Sequence, residues 1–161
     1  MNIQQKWIEY LQLTFHPEGG YFREIYRNNQ EYIDDQRYSG KRNLATSIYY
    51  MLQSGQVSKL HRLNSDEIWY FHYGSPICVH VFYHGNYQQQ VLGTDLINNH
   101  QLQIILPAGS VFGAEVLLPD SFSIVGCMVS PGFHFEDFKL IKGEELLPNF
   151  PALESVIKRL T

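Results

Sequence analysis

His61 and Glu67 are the residues of this chain whose types and spacing most directly suggest chemistry. They lie in the stretch Gly55-Gln56-Val57-Ser58-Lys59-Leu60-His61-Arg62-Leu63-Asn64-Ser65-Asp66-Glu67, followed through to Gly74. Two kinds of chemistry suit such a pair. Imidazole nitrogen and carboxylate oxygen are ligands for Fe, Mn, Zn or Ni, with positions left open for substrate or oxygen. A histidine also titrates near neutrality, and a nearby carboxylate fixes its tautomer and raises its basicity, which makes an acid–base site. Glu67 opens the apolar run Glu67-Ile68-Trp69-Tyr70-Phe71, where a carboxylate is costly to bury without a partner or a function. Trp69 and Phe71 share its parity along a strand and are expected to point inward with it.

The other polar candidates read more plainly. His72, His80, His84 and His100 have no spacing that makes a ligand set and are expected to be exposed or edge histidines, and His134 to sit on an exposed strand face. His16 and Glu18 belong to a glycine-rich turn in which Gly19 and Gly20 serve backbone geometry. Cys78 and Cys127 sit within apolar runs and read as buried, inert thiols.

These residues must be positioned by β-structure. Short β-type runs follow one another at Tyr21–Arg27, Leu44–Leu52, Val57–Leu63, Glu67–Tyr73, Ile77–Tyr83, Tyr87–Leu92, Leu102–Leu106, Ser110–Leu118 and Phe122–Val129. Turn residues such as Gly74-Ser75-Pro76, His84-Gly85-Asn86 and Pro107-Ala108-Gly109 separate them, the pattern of a sandwich or closed barrel. Ile3, Trp7, Tyr10 and Leu11 fall at helical spacing before this β-body, and Pro151–Leu160 reads as a helix after it. The polar stretch from Asn28 to Lys41 is expected to be an exposed loop, and Phe133–Leu140 one more edge strand.

The central stretch has the form G-x5-H-x-L-x3-E-x6-G. It resembles the first motif of the cupin family, G-x5-H-x-H-x3,4-E-x6-G, with Leu63 in place of the second histidine. Pro107-Ala108-Gly109-Ser110-Val111-Phe112 is similar to the second motif, P-x-G-x2-H, with Phe112 in place of its histidine. The chain resembles one uncharacterised branch of cupins more closely, through His16–Arg23, His61–Trp69 and Val125–Phe133, which together span nearly the whole chain. The resemblance implies an all-β, cupin-type jelly-roll β-barrel with short N- and C-terminal helices, paired as a homodimer. In metal cupins three histidines and a glutamate point into the barrel. Leu63 and Phe112 stand at two of those positions and cannot coordinate, so no metal ligand set and no cofactor beyond a weakly bound divalent metal is expected.

The family also contains sugar-nucleotide epimerases that work without metal through a histidine base and a tyrosine acid, and this chain is similar to them only in general architecture. On that analogy His61 is the base, Glu67 its partner and Tyr49 the candidate acid. Trp69, Phe71 and Phe112 are the candidate lining, and Arg23 closes the barrel mouth or pairs with a carboxylate. The expected function is a small-molecule-binding barrel, isomerase- or epimerase-like, acting on a sugar or small organic acid. A metal-dependent oxygenase or isomerase with substitute ligands, and a non-catalytic binding or structural barrel, are the alternatives.

Composition narrows the classes. A chain of 161 residues suits one domain, 1–161, and its 44% apolar and 17% charged residues are a globular balance. A net charge of -4 argues against a nucleic-acid partner, which needs a basic face. There is no run of about 18 apolar residues to span a membrane. The segment after Met1 lacks the apolar core of a signal peptide, so a cytoplasmic address with free cysteines is expected. No G-x-S-x-G elbow, Walker loop or G-x-G fingerprint occurs.

Overall fold

The computed structural model describes residues 2–34 and 36–161. Helix α1 (Ile3–Leu11) starts where the Asn2 side chain accepts a hydrogen bond from the Gln5 amide at 2.8 Å. Among the described residues thirteen strands follow: β1 (Thr14–Phe15), β2 (Tyr21–Arg27), β3 (Glu31–Tyr32), β4 (Arg42–Asn43), β5 (Thr46–Gln53), β6 (Val57–Arg62) and β7 (Asp66–Gly74); then β8 (Ile77–Tyr83), β9 (Asn86–Leu92), β10 (Gln103–Leu106), β11 (Val111–Val116), β12 (Phe122–Ser130) and β13 (Lys139–Leu140). Helices α2 (Gly143–Leu146) and α3 (Glu154–Arg159) end the chain, with proline opening the 3-10 turn Pro151–Leu153 ahead of α3.

The strands form two antiparallel sheets packed face to face as a jelly roll. One has the order β1-β2-β5-β12-β7-β10 and the other β13-β6-β11-β8-β9. The main core lies between them, built from residues of both, among them Tyr50, Trp69, Val79, Phe112 and Val125. Helix α1 covers one outer face, over Met51, Phe122 and Ile124. The C-terminal segment covers the other, placing Ile157 and Leu160 over Leu60 and Phe82. Among the described residues the two sheets are not joined by strand pairing into a closed barrel. No helix among the described residues is long and apolar enough to cross a membrane.

Three expectations change. Phe133–Leu140 is not one strand: a 3-10 turn occupies Phe135–Asp137, and only Lys139–Leu140 pairs, with β6. The Arg42 guanidinium draws Asp137 inward through two hydrogen bonds, at 2.6 and 2.9 Å, which no flat strand would allow. The polar loop carries a short ladder of its own, β3 on β4, and its Tyr38 is buried over Arg42. His80 is neither exposed nor at an edge. It lies on β8, whose inner face meets the main core and whose outer face the C-terminal helix covers, so it is 1% exposed. His72 and His84 are exposed as expected.

Register places the site. β6 carries one extra residue against β11: Ser58 pairs with Ala114 while His61 pairs with Phe112. Simple alternation would send Ser58 and His61 to opposite faces, and the bulge turns both inward. Gly113 sits opposite, where a Cβ would stand 2.7 Å from the Ser58 carbonyl oxygen. Lys59 and Leu60 find other partners: the Lys59 amide donates to Glu18 O and the Leu60 amide to Leu160 O, each at 2.8 Å.

Candidate functional site

A cavity of about 250 Å³ opens at one end of the jelly roll. Its walls come from β2 (Phe22, Glu24, Arg27), β5 (Thr46, Ile48, Tyr50), β6 with the loop after it (His61, Leu63), β7 (Glu67) and β12 (Cys127, Val129). The turn after β1 adds His16 and Glu18, and the segment before β13 adds Phe133, His134, Phe135 and Phe138.

The structure brings His61 and Glu67 to the same cavity and leaves the other sequence candidates outside its lining. Phe112 lies behind the wall, its ring centroid 4.2 Å from that of His61. Trp69 lies beneath, its indole N–H donating to Glu67 Oε1 at 2.8 Å. Phe71 packs against the main core. Arg23 donates to Leu11 O at 3.2 Å, away from the lining. Tyr49 packs on the outer side with the α1 cluster, whereas its neighbour Tyr50 reaches the cavity. Strand alternation makes that choice, and parity cannot be read until the register is known.

His16 and Glu18 were expected only as members of a glycine-rich turn, yet they line the cavity beside His61 and Glu67. Gly19 and Gly20 are the reason. Both have positive φ, and a side chain on Gly19 would collide with the Val57 carbonyl, so the turn can press flat against β6. Adjacent glycines at a close backbone approach were the available signal, since such a turn must lean on something.

Glu18 is 6% exposed and accepts a hydrogen bond from the Ser58 hydroxyl at 2.9 Å. Its Oε2 lies 3.1 Å from His61 Nε2. His61 Nδ1 is 2.7 Å from Lys59 O, which can only accept, so Nδ1 carries a proton and both ring nitrogens are committed. Burial holds the His61 pKa below and the Glu18 pKa above their ordinary values, although His16 pulls Glu18 down. Burial therefore disfavours the charged form of both partners in this contact. His16 Nδ1 accepts from the Glu18 amide at 3.2 Å, so in the neutral ring the proton sits on Nε2, which has no partner among the described residues. Burial also lowers the His16 pKa, against the pull of Glu18.

Glu67 is 6% exposed, and burial pushes its pKa up to about 7; His61 opposes that rise while Glu18 adds to it. Its Oε1 is held by Trp69 and the Cys127 thiol also approaches the carboxyl, while among the described residues no N–H or O–H donates to Oε2. Burial likewise pushes the Cys127 thiol up, with Glu67 adding to it, so Cys127 is an inert wall.

The metal of the family's usual four-ligand site does not fit these residues. Leu63 and Phe112 offer no donor, and His61 Nε2 faces Glu18. Among the described residues no group of three or more His, Cys, Asp or Glu is arranged to hold a metal ion.

Comparison with known proteins agrees with this architecture. The family model described as Cupin superfamily (DUF985) matches residues 5–141. The chain is 33% identical to YML079W, an uncharacterised protein of Saccharomyces cerevisiae, over 93% of this chain and 81% of that protein. It superposes on the crystal structure of SO0799 from Shewanella oneidensis with a TM-score of 0.88 and 39% identity, covering 100% of this chain and 98% of the other. A hypothetical protein from Leishmania major gives 0.90 and 32%, covering 99% of each. Oxalate decarboxylase from Bacillus subtilis shares the fold alone, with a TM-score of 0.57 and 17% identity; the match covers 91% of this chain and 37% of that enzyme. The chain belongs to the cupin superfamily, in the uncharacterised family DUF985.

Proposed function

We propose that this cupin binds a small organic molecule in its cavity and moves protons on it without a tightly bound metal, as an isomerase- or epimerase-like enzyme acting on a sugar or small organic acid. The observation that carries this reading is Glu67. It is a buried carboxyl in an apolar-walled cavity, with one oxygen fixed by Trp69, the other without an N–H or O–H donor among the described residues, and a pKa near 7. A group titrating at the working pH takes a proton from a carbon beside a carbonyl and returns it with little mismatch. The His16 Nε2–H is the neutral donor available to the oxygen that gains charge.

His61 changes role in this reading. With both ring nitrogens committed it acts as a positioning residue, holding Glu18 and setting the field at Glu67. Tyr50 takes no proton-transfer part. Its hydroxyl donates to Gly19 O at 2.8 Å, and burial holds its pKa well above the ordinary tyrosine value.

Solvent exchange tests the proposal. Aldoses, ketoses and hydroxy acids are incubated with the protein in D2O, and loss of C–H signal is followed by NMR. Exchange by the native protein that slows at least about 100-fold in Glu67→Gln supports it. No exchange with any compound, together with ligand-induced thermal shifts, favours the non-catalytic binding barrel instead. A stoichiometric transition metal in protein purified without chelator, lost in His61→Ala, would sink the metal-free version. A homodimer in the cytoplasm completes the proposal. The edge strand β10 leaves Ile105 exposed, with Leu102 exposed just before it, an edge that proteins usually cover, and light scattering at graded concentration tests the pairing.

A further inference from the structure

The charges around the cavity select among ligands. Three carboxyl groups line it, Glu18, Glu24 and Glu67. The guanidinium in the lining, Arg27, is gripped by both oxygens of Glu24, at 2.9 and 2.7 Å, and its Nη groups also reach Asn43 Oδ1 and Phe133 O. Arg42, on β4, is spent on Asp137 and Glu136. Among the described lining residues there is no lysine and no second arginine for an anionic ligand. A carboxylate or phosphate entering here would lose its hydration beside three carboxyl groups, with the lining guanidinium already taken by Glu24.

A cation meets the opposite. Glu67 is more than nine-tenths buried, and its Oε2 lacks an N–H or O–H partner among the described residues. Phe22, Phe133 and Phe138 stand in the same lining, and aromatic rings attract cations that have shed their water. A desolvated ammonium is tolerated only where a carboxylate and such rings replace the lost water, and this cavity supplies both.

We propose that the natural ligand carries a cationic nitrogen on a small hydroxylated scaffold, an amino sugar or amino polyol, with the ammonium donating to Glu67 and its carbon frame against the phenylalanines. The inference rests on the small-molecule reading above and stands in place of its proton transfer, because an ammonium on Glu67 Oε2 occupies the oxygen that a base would use; it narrows the ligand toward amine-bearing polyols and away from organic acids.

Three matched probes test it: glucamine, sorbitol and gluconate, which share a polyhydroxylated chain and end in an ammonium, an alcohol and a carboxylate. Their binding to the full chain is measured by calorimetry and thermal shift at neutral pH and constant ionic strength. The expected order is glucamine at least about tenfold tighter than sorbitol, with gluconate giving no shift. Glu67→Gln should remove that tenfold preference, and Glu18→Gln, a second variant should the first fail to fold, should weaken it. Sorbitol or gluconate binding as well as glucamine overturns the inference, as does a preference that persists in the variants. If glucamine fails while an uncharged aldose binds or exchanges protons, the cationic ligand falls and the small-molecule reading stands. If nothing in either panel binds, both fall.

Discussion

Two buried histidines, His61 on β6 and His80 on β8, each face a glutamate, and they have opposite electrostatics. His80 is closed on all sides: Nδ1 lies 2.8 Å from the Tyr87 hydroxyl, Nε2 lies 3.0 Å from Glu115 Oε1, and Arg159 of α3 holds Glu115 with two hydrogen bonds at 2.8 Å. Every polar group is matched, and the arginine above all holds the Glu115 pKa below the usual carboxylate value. This cluster ties the C-terminal helix to the sheet. His61 faces Glu18 with no arginine or lysine paired to that carboxyl among the described residues, and burial raises both Glu18 and Glu67. One glutamate is stabilised as an anion and serves the fold. The others are held toward their neutral forms at a cavity, an arrangement that costs stability and suits proton transfer.

That contrast can be broken from either side. The largest effect expected is from Gly19→Ala, because the backbone there is strained for any side chain and the new Cβ meets the Val57 carbonyl. Destabilisation of about 3 kcal/mol in urea titration is expected, with loss of ligand-induced thermal shifts because Glu18 leaves its place. Glu115→Ala comes next. It strands the buried His80 Nε2 and frees Arg159, and about 2 kcal/mol should be lost by the same assay. Because the Glu115 pKa is depressed, Glu115→Gln should cost most at neutral pH and progressively less in acid, where the native carboxyl also protonates.

Glu67→Gln should show the reverse sign and a smaller size. Its folded pKa of about 7 lies above the ordinary 4.5. The folded chain therefore binds the proton more tightly, and the stability this confers is complete below 4.5 and lost as pH rises through about 7. The variant cannot titrate, so its melting temperature should exceed that of the native protein by roughly 3 °C in mildly alkaline buffer and match it near pH 4.5. Equal pH profiles for the two proteins would show that Glu67 is not held toward its neutral form.

Much of this was legible in advance. The β-runs, both terminal helices, the inward parity of Glu67 and Trp69 and the missing ligands at Leu63 and Phe112 follow from alternation, turn residues and motif spacing. Those signals are local, so they survive without knowledge of the fold. His80 was misread because exposure depends on what covers a strand's second face, here a helix from the far end of the chain. Tyr49 was the tyrosine expected at the site, and Tyr50 lines the cavity instead, because one residue of register exchanges inside for outside.

By itself, the sequence determined that this is a cupin with His61 and Glu67 at family spacing and no complete metal cage. Tertiary structure alone decided what that pair became. The bulge in β6 turned His61 inward, and a turn with two glycines carried Glu18 against it from 43 positions away. Burial between the sheets then shifted the protons. Spacing along a chain specifies which groups are available; only packing sets the distances and the dielectric that give them their chemistry.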